Sequence, residues 1–181
     1  MNLKEFFEIS KNQSDKGSTH DYINGYYDTV FSPLKNEKIE LLEIGVHGGW
    51  SMELWSQFFT NGNIIGLDIE SYQYVPTLKN VKIKICDAYS DVIVSEFENN
   101  RFDFIIDDGP HTLQSQILTI QKYLPKLKIG GKLIIEDIQS IHDLNNLIIE
   151  CDNTGMPWQV FDLRQNKGRY DDIIIEITKT K

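Results

Sequence analysis

Short apolar runs alternate with stretches of helical periodicity along most of the chain. The runs are rich in Ile, Leu, Val and Phe, and they span residues 41–45, 63–69, 81–86, 102–107, 131–137, 158–163 and 172–178. Continuous apolar runs of this length are typical of strands buried on both faces, as in a parallel sheet. The pattern therefore predicts seven strands.

Between the strands, apolar residues recur three or four positions apart, which is the spacing of one helical face. The helices predicted in this way span residues 51–60, 91–98, 112–127 and 141–150, and two more, 3–10 and 20–31, precede the first strand. Gly130 and Gly131 are expected to end the helix that begins at Thr112.

Five strand–helix units followed by two strands predict a doubly wound α/β fold. The last two strands are joined by the polar stretch 164–170, so we expect an antiparallel hairpin with no helix between them and a solvated Asp171. The predicted fold is a mostly parallel, seven-stranded, Rossmann-like sheet with a C-terminal antiparallel hairpin. We divide the chain into an N-terminal helical arm, residues 1–36, and an α/β domain, residues 37–181.

Charge and composition argue against several function classes. The net charge is −9 and the basic residues are scattered, whereas nucleic-acid binding needs clustered Lys and Arg. The apolar runs are too short to cross a bilayer, and the first residues lack an apolar signal segment. Cys86 and Cys151 have no CxxC spacing, which favours free thiols in a reducing compartment. We therefore expect a cytoplasmic protein with no membrane or nucleic-acid partner.

Ligands of such sheets bind at the carboxyl ends of the parallel strands. The first strand runs there into EIGVHGGWS, residues 43–51, whose glycines allow a ligand to approach the backbone closely. The spacing matches neither a P-loop nor the dinucleotide pattern G-x-G-x-x-G. The carboxylate of Glu43 favours a cationic or amine-bearing ligand. A tight strand-to-helix turn without a ligand is the alternative interpretation.

Two further acids end strands at the same edge. Asp68 follows the glycine turn by about 20 residues and could accept hydrogen bonds from both hydroxyls of a ribose. Asp87 ends the third strand and could bind a ligand amine. Each could instead cap a helix. Together these acids favour a nucleoside ligand without phosphates at the turn.

EIGVHGGWS, then GLDI (66–69), then a carboxylate after the third strand resemble the class I S-adenosylmethionine-dependent methyltransferases, over about residues 40–178. The resemblance implies a methyltransferase sheet and S-adenosyl-L-methionine as cofactor. The residues implied to bind it are Glu43 and Gly45 at the methionine, Asp68 at the ribose, and Asp87 with Ala88 at the adenine. Gly49, Ser51 and Asp107 complete the predicted cofactor site.

Two pairs of carboxylates end the next two strands. IIDDGPH, residues 105–111, ends the fourth strand, and GGKLIIEDI, residues 130–138, ends the fifth. Side chains alternate along a strand, so one carboxylate of each pair should face the crevice. Neighbouring strands lie about 4.8 Å apart, so one carboxylate from each could share a hard cation. A helix cap or a solvated loop is the alternative for either pair.

These two segments resemble the metal-dependent sugar O-methyltransferases of the macrocin and mycinamicin type, which carry D-D-G-S-H and then G-G-x-x-x-x-E-D. The resemblance implies Mg²⁺ or a similar divalent cation, held by Asp108 and Asp137 with Glu136 as a possible extra ligand. It also implies that His111 is the catalytic base, with Asp108 beside it. The sequence departs from the family at Pro110, where Ser is usual, and this stiffens the loop.

A segment ahead of the first strand also resembles these relatives. SDKGSTHDY, residues 14–22, matches their DK-x-x-x-H-x-Y pattern and is expected to cover the cofactor or to contact the substrate. An ordinary capped loop is the alternative. His20 in this segment and His47 in the glycine turn are the rivals of His111 as the base.

The sequence thus predicts an S-adenosylmethionine-dependent O-methyltransferase, assisted by a metal, that acts on a hydroxyl of a sugar or glycosylated small molecule. A metal-independent small-molecule methyltransferase is one alternative. A nucleoside-binding module without catalysis is the other. The expected partner is a small-molecule or sugar acceptor, and the sequence is compatible with a homo-oligomer.

Overall fold

The computed structural model describes residues 1–71 and 78–181. These residues form one seven-stranded sheet in the order β3-β2-β1-β4-β5-β7-β6. Its strands are β1 (Glu40–Ile44), β2 (Asn63–Asp68), β3 (Val81–Ile85), β4 (Phe102–Asp107), β5 (Leu127–Ile135), β6 (Trp158–Asp162) and β7 (Ile173–Thr178). Neighbours from β3 to β5 are parallel, and β7 is antiparallel to both β5 and β6. The predicted fold class is confirmed.

Helices cover the sheet and precede it. They are α1 (Leu3–Ser10), α2 (Asp15–Ser18), α3 (Asp28–Phe31), α4 (Trp50–Phe58), α5 (Asp91–Ser95), α6 (Leu113–Tyr123), α7 (Ile141–Thr154) and α8 (Arg164–Lys167). The helix predicted over residues 20–31 is a π-helical turn, Ile23–Tyr27, that continues directly into α3. Across the described ranges, no helix is both long and apolar enough to span a membrane.

The glycine pair near β5 does not end a helix, contrary to the sequence prediction. α6 ends at Tyr123, and Gly130 and Gly131 lie inside β5. An added Cβ at Gly131 would lie 3.0 Å from the backbone oxygens of Phe102 and Asp103. The pairing of β4 with β5 is also irregular at this point. Gly131 therefore permits a close, irregular approach of two strands.

The connection between β6 and β7 also differs from the prediction, because it contains the short helix α8. The side chain of Asp162 accepts a hydrogen bond from the backbone N–H of Arg164 at 3.2 Å, at the start of this helical turn. Gly168 ends the turn with a φ of 71°. Local hydrogen bonding at both ends thus stabilises one helical turn inside the hairpin connection.

The sheet order creates a crevice at its carboxyl edge. The chain leaves β1 toward β2 and β3 on one side and later crosses to β4 and β5 on the other, which is a topological switch point. Ile44 pairs with Asp107, and Asp107 pairs with Ile135. The glycine turn, Asp108 and Glu136 therefore follow the three strands at equivalent positions, side by side at the carboxyl edge of the sheet.

Both faces of the sheet are buried. Phe104 of β4 belongs to the apolar cluster under α4 and the N-terminal helices, whereas the next residue, Ile105, belongs to the cluster under α6 and α7. Residues 1–36 supply part of the first cluster. The ring centroid of Phe31 lies 5.2 Å from that of Trp55 and 4.8 Å from that of Phe104. The N-terminal segment is thus packed into the core.

We expect Phe31→Ala to lower the free energy of unfolding by about 3–5 kcal/mol, because it removes a fully buried ring and leaves a cavity. Urea unfolding followed by tryptophan fluorescence measures the loss. Thr29→Ala, an exposed change in the same short helix, is the control and should stay within about 0.5 kcal/mol. Equal losses in the two variants would contradict a core role for the N-terminal segment.

Candidate active site

The glycine turn after β1 is in direct contact with the end of β4. Gly45 has a φ of +90°, and a Cβ added to it would lie only 1.9 Å from the carbonyl oxygen of Asp108. Only glycine accepts both this conformation and this contact. The turn therefore joins the ends of two neighbouring strands backbone to backbone.

A cavity of about 550 Å³ opens at the carboxyl edge beside this turn. The predicted site residues that line it are Gly45, Asp68, Asp87, Ala88, Asp108 and His111. His47 of the turn and Asp15 of α2 line it as well. The structure thus brings together residues from the ends of β1, β2, β3 and β4 around one space.

Asp68 links the end of β2 to the glycine turn. One oxygen of its carboxylate accepts hydrogen bonds from the backbone N–H groups of Val46 and His47, at 2.8 and 2.9 Å. The other accepts one from the N–H of Glu70 at 2.9 Å. A carboxylate has about four acceptor positions, so Asp68 retains capacity for a ligand hydroxyl.

Glu43 lies behind the cavity wall rather than on it. It is fully buried, and Trp55 donates a hydrogen bond from Nε1 to its Oε2 at 2.6 Å. Burial raises the pKa of Glu43, against the opposing effects of Lys16, Ser51 and Trp55. Ser51 is also buried. Neither Glu43 nor Ser51 is among the residues that line the cavity, although both were predicted to bind the cofactor.

Asp107 and Gly49 likewise support the wall from behind. Asp107 accepts hydrogen bonds from the hydroxyl of Thr119 at 2.6 Å and from the N–H of Gly109 at 3.2 Å. Burial raises the pKa of Asp107, partly offset by these hydrogen bonds. Gly49 precedes α4 with a φ of 81°. These two predicted cofactor residues shape the site without reaching the cavity surface.

Asp108, His111 and Asp137 form a group that fits a divalent cation. Each offers a ligand atom within 4.8 Å of the others. His111 Nε2 lies 3.9 Å from Asp108 Oδ1 and 3.7 Å from Asp137 Oδ2, while His111 Nδ1 is buried without a hydrogen bond. The two carboxylate oxygens suit a hard divalent ion, and the imidazole nitrogen beside them remains available to accept a proton.

Backbone strain supports a functional role for this group. His111 and Asp137 both have a φ of 54°, in the left-handed region that residues other than glycine rarely adopt. Such conformations cost about 1–3 kcal/mol and cluster at active sites. The fold thus holds these two side chains in positions that the backbone alone disfavours.

Glu136, predicted as an additional metal ligand, has protein partners at both oxygens. Tyr27 donates a hydrogen bond to Oε1 at 2.6 Å, and Lys16 forms an ion pair with Oε2. Glu136 is fully buried and lies outside the group of Asp108 and its two neighbours. Burial raises the pKa of Glu136, opposed by the charge of Lys16.

Lys16 is the site residue that the sequence analysis did not assign. Its side chain is only 1% exposed, and its ammonium contacts three carboxylates. Nζ lies 2.6 Å from Asp108 Oδ2 and 3.5 Å from Glu43 Oε1, in addition to its contact with Glu136. Burial opposes the charged form, but these acids raise the pKa of Lys16 well above its usual value. The only sequence signal was its place in the DK-x-x-x-H-x-Y pattern.

The same segment supplies two aromatic rings beside Asp137. Tyr22 donates a hydrogen bond to Asp137 Oδ1 at 2.5 Å. The ring of His20 stacks on Tyr22, and its Nδ1 lies 2.5 Å from Asp172 Oδ1. Asp171, expected to be solvated, is only 6% exposed. His20 is therefore engaged inside the protein, whereas His111 faces the cavity.

Known proteins of similar sequence are O-methyltransferases. The chain is 30% identical over 131 residues to "Demethylmacrocin O-methyltransferase" of Streptomyces fradiae, which covers 67% of the chain and 33% of that protein. It is 32% identical over 123 residues to "Mycinamicin VI 2''-O-methyltransferase" of Micromonospora griseorubida, covering 62% of the chain and 30% of that protein. The chain thus spans about a third of the length of the curated relatives it matches.

Solved structures confirm the fold. The methyltransferase MycE of the mycinamycin biosynthetic pathway, solved in complex with Mg, SAH and mycinamycin VI, superposes with a TM-score of 0.73 at 22% identity, over 100% of this chain and 55% of that one. Fibrillarin of Methanococcus jannaschii superposes with a TM-score of 0.61 at 14% identity, over 81% of this chain and 69% of that one. At these identities the likeness concerns the fold alone.

A family profile covers the site itself. The family described as "Methyltransferase domain" matches residues 42–138, from the glycine-turn strand to the residue after Asp137. This range is more than half of the 181 residues. The resemblance found in the sequence is therefore confirmed, and the chain belongs to the methyltransferase domain family.

Proposed function

We propose that the chain is an S-adenosylmethionine-dependent O-methyltransferase that acts, with the help of a divalent cation, on a hydroxyl of a sugar or glycosylated small molecule. One observation carries the proposal. Asp108 and His111 line the same cavity as Asp68 and Asp87, so acceptor chemistry and a nucleoside site share one space. The five curated relatives are all named O-methyltransferases, and MycE was solved with Mg and SAH, which supports the same assignment.

On the cofactor side, the residues act by binding and orientation. We assign a ribose hydroxyl to the free acceptor position of Asp68, and the adenine to the surface formed by Asp87 and Ala88. Ala88 is 5% exposed. S-adenosylmethionine supplies a methyl group on a sulfonium sulfur. The backbone of the glycine turn limits the cavity on the methionine side, where the absence of a Cβ at Gly45 lets the turn contact the carbonyl oxygen of Asp108.

On the acceptor side, Asp108 and Asp137 would hold the cation, and a bound cation would lower the pKa of a nearby hydroxyl. His111 takes the hydroxyl proton at Nε2, the nitrogen that faces both carboxylates. The acceptor oxygen then bonds to the methyl carbon while the bond from that carbon to the sulfonium sulfur breaks, which leaves S-adenosylhomocysteine. The protein contributes chiefly alignment of the two substrates.

One observation favours a second candidate, a metal-independent small-molecule methyltransferase. Lys16 already places a positive charge against Asp108 and Glu136. In that case the carboxylates would position the acceptor, and His111 would act alone. Removal of divalent ions distinguishes the two candidates.

Asp68→Ala should weaken the binding of S-adenosylhomocysteine by about 10- to 150-fold, because charge-assisted hydrogen bonds contribute about 1.5–3 kcal/mol. Isothermal titration calorimetry measures this affinity. Glu70→Ala removes an exposed acid two residues away and should leave it unchanged. If Asp68→Ala binds as tightly as the unaltered chain, Asp68 is not a cofactor residue.

The purified chain should bind Mn²⁺, and Asp108→Asn or Asp137→Asn should weaken this binding. Loss of a residue that only contacts a metal ligand typically weakens metal binding by about 10–100-fold, and loss of a ligand itself should cost at least as much. Electron paramagnetic resonance of free Mn²⁺ measures the affinity. Asp91→Asn, whose side chain is 92% exposed, is the control. EDTA should also abolish methyl transfer without unfolding the chain. Full activity in EDTA would establish the metal-independent candidate instead.

His111→Ala should lower the single-turnover rate of methyl transfer by about 10²–10⁴-fold, because it removes the general base. The assay transfers a radiolabelled methyl group to a panel of glycosylated small molecules. His142→Ala changes an exposed histidine of α7 and should have no effect. A full rate in His111→Ala together with a slow rate in His20→Ala or His47→Ala would identify a different base.

A further inference from the structure

The carboxylates of Asp108 and Asp137, which both face His111, are oriented in the same way. In each, one oxygen points toward His111 and the other contacts a side chain of the N-terminal segment. Asp108 Oδ1 lies 3.9 Å from His111 Nε2, while Oδ2 lies 2.6 Å from the ammonium of Lys16. Asp137 Oδ2 lies 3.7 Å from His111 Nε2, while Oδ1 accepts the hydroxyl of Tyr22 at 2.5 Å.

Both contacting side chains are rigidly held. Lys16 and Tyr22 are each 1% exposed, and they come from one short stretch, residues 14–22. His20 lies between them and pairs with Asp172 at 2.5 Å. Lys167 donates hydrogen bonds to the carbonyl oxygens of Gly17 and His20 at 2.6 and 3.0 Å. The stretch is thus bonded to the β6–β7 connection at several points.

We propose that Lys16 and Tyr22 are positioning residues, which fix the rear oxygens of Asp108 and Asp137 so that the front oxygens face a divalent cation beside His111. The proposal rests on the metal-assisted function given above. A carboxylate with one oxygen held by a buried donor has little rotational freedom, so its second oxygen is oriented before the cation arrives. Outer contacts of this kind typically change metal affinity by about 10–100-fold.

Charge gives Lys16 a further part in the arrangement. Its ammonium contacts Asp108, Glu136 and Glu43, so it offsets the repulsion between acids that converge on one point. Tyr22 orients the carboxylate of Asp137 through a hydrogen bond and adds no charge. The two residues therefore act by different physical means on the two halves of one site.

Tyr22→Phe removes only the hydroxyl, and the chain offers a matched control in Tyr26→Phe. Tyr26 is equally buried and donates to Glu176 Oε2 at 2.6 Å, in β7 and outside the group of Asp108, His111 and Asp137. Both variants lose one buried hydrogen bond to a carboxylate, and Tyr22→Phe also loses a longer one, of 3.3 Å, to the carbonyl oxygen of Asp171. A purely structural effect should therefore be of similar size in the two variants.

The experiment titrates Mn²⁺ and, separately, S-adenosylhomocysteine into the full chain and both variants. We expect Tyr22→Phe to weaken Mn²⁺ binding by about 10–100-fold and Tyr26→Phe by less than about twofold. Affinity for S-adenosylhomocysteine should not change in either. Equal Mn²⁺ affinities in the two variants would overturn the role of Tyr22. An unaltered chain that binds no Mn²⁺ would instead overturn the metal-assisted function itself.

Lys16→Gln tests the other half of the proposal, since it keeps a hydrogen-bond donor and removes the charge. We expect weaker Mn²⁺ binding, because a neutral amide replaces the ion pair that fixes the rear oxygen of Asp108. Tighter binding would overturn the positioning role of Lys16, since it would mean that the ammonium competes with the metal for Asp108. If Lys16→Gln does not fold, the comparison of Tyr22→Phe with Tyr26→Phe still decides the proposal.

Discussion

The convergence of buried acids on one ammonium is the constraint on which the site depends. Glu43, Asp108 and Glu136 come from the ends of three adjacent strands, and burial disfavours the charged form of each. The effective penalty for a buried ion is several kcal/mol. Lys16 contacts all three acids, so one charge from the N-terminal segment compensates a cluster that the sheet topology creates.

This compensation explains why the N-terminal segment belongs to the core. To bring an ammonium to the sheet edge, the segment must be fixed on the sheet, and aromatic side chains do this. Tyr27 packs against Trp55 at a centroid distance of 5.2 Å and also donates a hydrogen bond to Glu136. The same residues therefore provide both the apolar packing and the hydrogen bonds to the buried acids. Loss of such a residue would disturb both.

The alternation of side chains along a strand divides the acids between structure and chemistry. In the pair at the end of β4, Asp107 turns back to Thr119 of α6, while Asp108 lines the cavity. In the pair after β5, Glu136 is buried under Lys16, while Asp137 faces His111. One acid of each pair thus holds the strand end in place, and the other is left at the site. Because adjacent side chains point in opposite directions, one pair of carboxylates can serve the fold and the site without facing each other.

The sequence by itself determined the order of strands and helices, the parallel core and the positions of the acids at the strand ends. These features depend on local periodicity and on short motifs, which can be recognised without knowledge of the tertiary contacts. It also pointed to the pairing of DDGPH with the later ED, because equivalent ends of parallel strands meet at one edge. Local signals were misleading at Gly130 and Gly131, where a neighbouring strand decides the outcome, and in the β6–β7 connection, where a polar stretch forms the helical turn α8.

The tertiary structure alone decided which acids remain at the cavity and which are used by the fold. Lys16 is 92 residues from Asp108 and 120 from Glu136 along the chain, and His20 is 152 residues from Asp172. No local pattern encodes such pairs, because they exist only when the N-terminal segment packs on the finished sheet. The direction of each carboxylate is likewise set by the donor it meets, and those donors arrive from every part of the chain.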